Sequence, residues 1–440
     1  MGNFVQELKS TFAEHDDFFI HEEQFDQTVL FLIGYHSLIN FSKSNLYFHQ
    51  MAELSASVDE LFTNLSDQLN VDIKQIIKAV LEGKLVILTG DDQRNAVVEP
   101  VPQNLRRSIE EPKNESPIQG PLDAFGEDVD INIGLIRKRL GTERLCHSSY
   151  EIGELAMRRI SMLYIKGKAP NDLIEKIDKK LKQAQSDIEM IHDLNNLFGA
   201  RKFPPVNHFS VTELPLQAVY SLKRNRVVLF LDNTPYAFVL PHLFWDMLST
   251  ANDRDFHVSF TYFIRILRGL GILANLILPA LYIAITSVNP EVLKIDLALF
   301  VAESREGIPL APLFETLAMV VLVDLVIEAI NRLPKTVGPT VTMVGGVILG
   351  QGVVEAKLVS NLLVIVITAM LISGSTIVGM QNSVYIRALK YFILIAASVF
   401  GILGICTGLI FICIILSSLK TCDIPYMSFR ITEKEDLSEP

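Results

Sequence analysis

The sequence predicts a membrane protein: an α+β N-terminal region of two related subdomains, followed by an α-helical transmembrane domain of about four to five spans. Three observations lead there. Composition changes near Phe260, from the residue mix of an ordinary soluble protein to one dominated by Ile, Leu, Val, Ala and Gly. An apolar hairpin pattern occurs twice before that point, at Lys84 to Pro100 and at Arg226 to Pro241. The apolar part is long enough to cross about 30 Å of hydrocarbon several times. The expected divisions are 1–104 and 142–259 for the α+β subdomains, 105–141 for a linking arm and helix, 260–420 for the membrane domain and 421–440 for a disordered tail.

In chain order, Thr28 to Tyr35 (TVLFLIGY) is a short run rich in β-branched and aromatic residues and predicts a strand. Met51 to Leu69 and Asp72 to Leu81 follow the helical period. Lys84 to Pro100 reads as strand, turn, strand, with Gly90-Asp91-Asp92 at the turn. The second copy has Asp232-Asn233 at its turn, an earlier strand at Ser161 to Gly167 and an amphipathic helix at Asn171 to Gln185. Between the copies lies LRRSIEEPKNESPIQGP, punctuated by charge, proline and glycine. It is expected to be a docking arm, with Glu110, Glu111, Pro112, Lys113, Glu115, Gly120 and Pro121 holding it to the soluble domain or to a neighbouring protomer. Asp128 to Leu140 is a helix ending in Arg137-Lys138-Arg139, cations that complement the helix dipole.

Leu243 to His257 is amphipathic and carries the one tryptophan, Trp245, and the aromatics from Phe244 to Phe263 fit a headgroup belt. Spans are expected at Ile264 to Val288, with Pro279 as a kink, at Ile308 to Leu333, at the Gly-rich and broken Thr336 to Glu355, and at Leu358 to Ile377. An interfacial helix is expected around Leu293 to Ala302. Tyr385 to Leu419 is too long for one straight span, so it is either one tilted helix or a hairpin turning near Gly401–Gly404.

The net charge of −11 is concentrated early, with about 27 Lys and Arg against about 37 Asp and Glu before Thr261. An acidic soluble region lacks the basic footprint that nucleic acid requires. The cysteines (Cys146, Cys406, Cys413, Cys422) show neither disulfide-framework nor zinc spacing, and the histidines give no metal site. MGNFVQELKSTF has no apolar signal core, so the N-terminal domain is expected in the cytoplasm, and Arg265 and Arg268 at the first span agree. Without a nucleophile motif, P-loop or strand-linked GxGxxG, neither an enzyme nor a cofactor is expected.

Acids in an apolar helix cost roughly 2.5–3.5 kcal/mol each at the bilayer centre and persist where they face protein or water. Glu315, Asp324 and Glu328 are therefore ion-pathway candidates, together with Gln351 and Glu355. Asp324 and Glu328 share a helix face, while Glu315 lies about 180° away. Structural pairing of Glu328 with Arg332 is the competing reading. Gly345, Gly346, Gly350 and Gly352 permit close helix packing or ion coordination. Glu303, Arg305, Glu306, Gly307 and Pro309 form either a gating loop or a plain loop ion network.

SIEEPKNESPIQGP, NIGLIRKRL, LPALYIAITSVNPE, ESREGIPLAP, RLPKTVG and VGGVILGQGVVEAKLVS occur in that order over about residues 105–425. Together they resemble the signature of the GerA-type spore germination receptor A subunits. The resemblance implies a multi-pass protein of the inner spore membrane. It also implies work beside a transporter-like B subunit and a C lipoprotein, and nutrient sensing coupled to ion release through a homo-oligomeric, lipid-embedded channel. Val320 and Ile327 stand where that family usually carries an acid and a base, and Asn361 where proline is common. Two alternatives remain: a divergent, non-conducting scaffold paralogue that assembles germination proteins, and a secondary transporter using the Gly-rich helix as its site.

Overall fold

In the computed structural model the described residues are 3–25, 28–66, 68–90, 94–103, 123–189, 191–198, 207–250, 253, 256–333, 346 and 350–428. The chain divides into an N-terminal unit, Met1–His242 with Lys420–Ile424, and a helical unit, Leu243–Leu419 with Pro425–Met427.

The N-terminal unit is one arrangement built twice. The first half runs α1 (Asn3–Thr11), β1 (Phe18–Phe25), β2 (Thr28–Tyr35), α2 (Phe41–Leu54), α3 (Val58–Leu65), β3 (Gln68–Leu69), α4 (Ile73–Leu81), β4 (Leu85–Thr89) and β5 (Asn95–Val98). The second runs α5 (Val129–Arg139), β6 (Leu145–Ile152), β7 (Arg158–Ile165), α6 (Asn171–Gln183), α7 (Ile191–Leu197), β8 (Ser210–Thr212), α8 (Pro215–Lys223), β9 (Val227–Leu231) and β10 (Ala237–Leu240). The sheets have matching orders, β1-β2-β4-β5-β3 and β6-β7-β9-β10-β8. Register matches ladder by ladder. Phe18↔Tyr35 corresponds to Leu145↔Ile165, Ile33↔Val86 to Leu163↔Val228, Leu85↔Val98 to Val227↔Leu240, and Gln68↔Val97 to Ser210↔Val239. A one-residue slip would turn every core side chain outward, so agreement in all four ladders makes the halves the same structural unit. Even the αL residue two positions past the fourth helix recurs, as Gly83 (φ 86°) and Asn225 (φ 64°).

Local chemistry sets the boundaries. The expected helix over Met51 to Leu69 is instead two helices, because Ser57 starts a new one: its Oγ accepts from Glu60 N at 3.3 Å, and Glu60 Oε2 accepts from Ala56 N at 2.8 Å. Asp128 caps α5 by accepting from Asp130 N at 2.8 Å. That helix takes the place in the second half that α1 takes in the first, and it packs with α8, β7 and β9 around Ile133, Ile136, Leu163, Val228 and Phe230. The linking arm over 105–122 lies outside the described residues. Among the described residues of Leu243 to His257, Phe244–Leu248 forms a 3-10 turn before the next helix.

In the helical unit, α9 (Val258–Ile283) contains Pro279 and widens into a π turn at Ala284–Val288. Next come α10 (Ile295–Ser304), α11 (Pro312–Arg332), α12 (Asn361–Gly374) and α13 (Met380–Ser418). Against the four to five expected spans, two helices among the described residues are long and apolar enough to cross a membrane, Val258–Val288 and Gln381–Ser418. The second is not straight. Gly401 sits at φ 61°, ψ −135° inside it. Phe392 and Phe411 stack with ring centroids 5.1 Å apart, where a straight helix would separate them by about 28 Å. The chain therefore reverses at Gly401 into two limbs, 380–400 and 402–418, which resolves the expected choice in favour of the hairpin. Asn289 seals the turn, its Oδ1 accepting from Ile402 N at 3.1 Å at the start of the second limb. A side chain at position 401 would collide with Asn289.

Among the described residues, close helix crossings fall at Gly271 and Gly374. A Cβ at Gly271 would strike Thr376, and one at Gly374 would strike the Asn275 amide, whose Nδ2 donates to Met370 O at 2.9 Å. At Gly346, Gly350 and Gly352 a Cβ meets nothing within 4 Å among the described residues, and Gly345 lies outside them.

Candidate functional site

The three acids of α11 lead to three different partners. Pro312 opens the helix at a position where its missing N–H costs nothing. Glu315 follows in the first turn and is fully buried. Its Oε1 accepts from Ser360 N at 2.7 Å, both carboxylate oxygens lie 3.4 Å from the Tyr282 hydroxyl, and Arg305 approaches Oε2 at 3.5 Å. Ser360 also caps α12, its Oγ accepting from Leu363 N at 3.1 Å and lying 2.8 Å from Tyr282 Oη. Glu315 thus joins α9, the loop after α10, α11 and the N-terminus of α12, where the dipole favours an anion.

Asp324 points the other way, as half a helical turn of offset requires. Lys390 Nζ, from the first limb of α13, lies 3.3 Å from both its oxygens, and the Tyr391 hydroxyl donates to Oδ2 at 2.6 Å. The Lys390 side chain is 0% exposed and that of Asp324 17%. Glu328 pairs with Arg332 along the helix, at 3.0 and 2.8 Å, with both side chains half-exposed or more. Gln351 and Glu355 are exposed. Of the expected ion-pathway residues, none of Glu315, Asp324 and Glu328 shares a partner with another.

In the expected gating loop, Arg305 donates to Leu310 O at 3.1 Å in addition to its contact with Glu315. Gly307 adopts φ 82°, and a Cβ there would lie 3.0 Å from Lys357 Nζ. Glu303 and Glu306 are joined through the backbone, Glu306 N donating to Glu303 O at 3.1 Å. Pro309 and Gly307 form the bend between α10 and α11. The docking-arm residues Glu110, Glu111, Pro112, Lys113, Glu115, Gly120 and Pro121 lie outside the described residues.

A second buried cluster, missed from sequence, joins the two halves of the N-terminal unit. Arg137 grips Asp17 with both prongs, Nε to Oδ2 at 2.7 Å and Nη2 to Oδ1 at 2.6 Å, while Ser37 Oγ donates to Oδ2 at 2.6 Å. The guanidinium also lies 4.1 Å from the centre of the Tyr35 ring. His15 Nε2 bonds to Glu143 O at 3.0 Å and Nδ1 to Tyr35 Oη at 2.8 Å. A carbonyl accepts only from N–H, so His15 carries its proton on Nε2 and its Nδ1 accepts from the tyrosine. Burial first, then the neighbouring Arg137 charge, pushes the His15 pKa down to about 4. Burial raises that of Asp17, but Arg137 and His147 outweigh it and hold the carboxyl well below the usual range. Cys146, buried beside Glu14, has its thiol pushed up to about 12 by burial, which suits an inert core cysteine. The sequence signal is faint: two polar residues, His15 and Asp17, precede an aromatic pair, and their partners in the other half, Glu143 and Arg137, lie more than a hundred positions away. Among the described residues no group of three His, Cys, Asp or Glu side chains could hold a metal ion.

Comparison with known proteins gives a consistent picture. The family model of the Bacillus/Clostridium GerA spore germination protein matches residues 6–438. The chain is 29% identical over 403 residues to spore germination protein A1 of Bacillus subtilis, covering 87% of this chain and 83% of that one. It is 31% identical over 353 residues to spore germination protein GerLA of Bacillus cereus, with coverages of 80% and 71%. To the uncharacterized membrane protein YfkQ of Bacillus subtilis it is 30% identical over 393 residues, with coverages of 88% and 76%. A crystal structure of the N-terminal domain of the Bacillus megaterium germinant receptor GerK3 A subunit aligns with a TM-score of 0.41 and 17% identity, over 55% of this chain and 94% of that one. With the family model matching nearly end to end, the chain belongs to the GerA family of spore germination proteins.

Proposed function

We propose that this chain is the A subunit of a spore germinant receptor. It works as a homo-oligomer in the inner spore membrane, with a B subunit and a C lipoprotein, and its N-terminal unit faces the cytoplasm. The family match over residues 6–438 supports this reading. The complex responds to a small nutrient and conducts ions, switching between closed and open populations. The observation that carries the ionic part is Asp324, an acid on an apolar helix whose counter-ion comes from another helix and is a point charge able to move away. Glu315 serves the architecture instead, because four segments depend on it.

One observation favours a second reading. All three acids of α11 already have partners within the chain. That arrangement suits a non-conducting paralogue that assembles germination proteins. Planar-bilayer conductance of the purified full-length protein, with its oligomer mass measured alongside, decides between them. A cation-selective current that falls several-fold in Asp324→Asn supports conduction. A stable oligomer that carries no current, with or without its partner subunits, supports the scaffold.

A further inference from the structure

The two halves of the N-terminal unit meet through a strand edge. The segment Glu14 to Asp17, just before β1, lies along β6, the edge strand of the second sheet. His15 and His147 form a parallel bridge. Asp16 N donates to His147 O and His147 N to Glu14 O, each at 3.0 Å. The first half thus adds a short strand to the second.

The same donor and the same acceptor exist again, with no strand pairing between them among the described residues. Because the halves share register, β1 is the counterpart of β6, and it ends its own sheet with no strand beyond it among the described residues. His147 corresponds to Ile20. His36 N donates to Asp17 O as Lys166 N donates to Arg144 O, so the outward-facing positions coincide and the N–H and C=O of Ile20 point away from β2. Glu14 to Asp17 corresponds to Gly141 to Arg144. Phe18 N donates to His15 O at 3.0 Å, and Leu145 N to Thr142 O at 3.3 Å, which fixes Thr142 as the equivalent of His15. Gly141, Glu143 and Arg144 are exposed, as are His21 and Glu22 on the β1 edge.

We propose that the open edge of β1 receives the Gly141–Arg144 segment of a second copy of this chain. Thr142 then lies opposite Ile20, Glu143 N donates to Ile20 O, and Ile20 N donates to Gly141 O. Two facts select a second copy over another partner. The contact repeats an interface the chain already makes with itself, atom for atom along the backbone. The charges also suit: Lys138 precedes the donor segment and Arg144 ends it, outweighing Glu143, and the exposed Glu22 lies on the edge strand. The contact is heterologous, one surface of each copy meeting a different surface of the next, so it builds a ring when the rotation closes. It also covers an edge strand that would otherwise be open to unwanted pairing. The inference rests on the homo-oligomer reading and adds its surface.

The test uses full-length protein. Two tagged copies, one carrying Ile20→Cys and the other Thr142→Cys, are co-expressed and oxidised in membranes before extraction. A disulfide-linked dimer bearing both tags is expected, well above that of either variant paired with wild type. Native mass measured beside it separates the failures: an oligomer without the cross-link overturns this surface alone, and a monomer overturns the homo-oligomer reading with it. Hydrogen exchange on the unmodified protein gives a second readout. The amides of Ile20 and Glu143 should exchange at least about tenfold more slowly in the oligomer than in the dissociated chain. Equal rates in both states overturn the proposal.

Discussion

Asp17 in the N-terminal unit and Asp324 in the helical unit are both acids met by a cation from a distant stretch of chain, and they are held in different ways. Asp17 is 1% exposed and Arg137 3%, and the guanidinium fork reaches both carboxylate oxygens at 2.6 and 2.7 Å, with Ser37 filling a further lone pair. Asp324 has 17% of its side chain exposed and shares a lysine at 3.3 Å and one tyrosine hydroxyl. A planar fork fixes direction as well as charge, whereas an ammonium on a four-carbon stem fixes charge alone. The first contact is built to stay. The second is held by charge at a single point, and the ion-conducting role proposed for Asp324 rests on that looser hold.

The largest effect should come from breaking the fixed pair. Arg137→Ala leaves Asp17 buried without its cation, at a cost of about 3–5 kcal/mol to the N-terminal unit. Limited proteolysis of the full chain, read at sites within residues 3–242, measures it. Unchanged resistance would make the pair no more than a bystander. A smaller effect should come from acid. His15 is held neutral, with its pKa lowered from 6.5 to about 4, while the unfolded chain takes up a proton below about 6.5. Its contribution is therefore complete above pH 6.5 and is lost as pH falls towards 4, by up to about 3 kcal/mol. The groups around it are Arg137, Asp17, His147 and the Glu143 carbonyl, with the Tyr35 hydroxyl on Nδ1. Proteolysis of wild type should grow steeper across that window than that of His15→Gln, and identical pH profiles would sink the assignment. The smallest effect belongs to the exposed pair on α11. Glu328→Gln should change stability by less than about 0.5 kcal/mol and leave conductance as it was. A large loss of current would return Glu328 to the ion path.

The sequence disclosed what is local. The hairpins at β4–β5 and β9–β10 were readable because fully buried strands leave unbroken runs of Val, Ile and Leu around a polar turn. Strands β1 (FFIHEEQF) and β6 (LCHSSYEI) escaped notice because an edge strand keeps one side polar and blurs the pattern. The helical wheel puts Glu315 and Asp324 on opposite faces, and the two do take partners from different elements. Lys390 was passed over because it stands in a long apolar run, and its partner lies 66 positions away. No pattern in one stretch of chain records a contact of that separation.

The reversal at Gly401 has a consequence for counting. The second limb carries the chain back, and its continuation meets the start of the helical unit: Phe244 N donates to Tyr426 O at 3.0 Å, and Trp245 Nε1 to Met427 O at 3.2 Å. Two points on the same side of a bilayer can be joined only by an even number of passages through it. Under the membrane placement proposed above, whatever share of the crossing each segment takes, the journey from Val258 to Ser418 closes on itself. The proposed membrane placement therefore predicts one doorway for entrance and exit: reporters at Phe244 and at Tyr426 should face the same compartment.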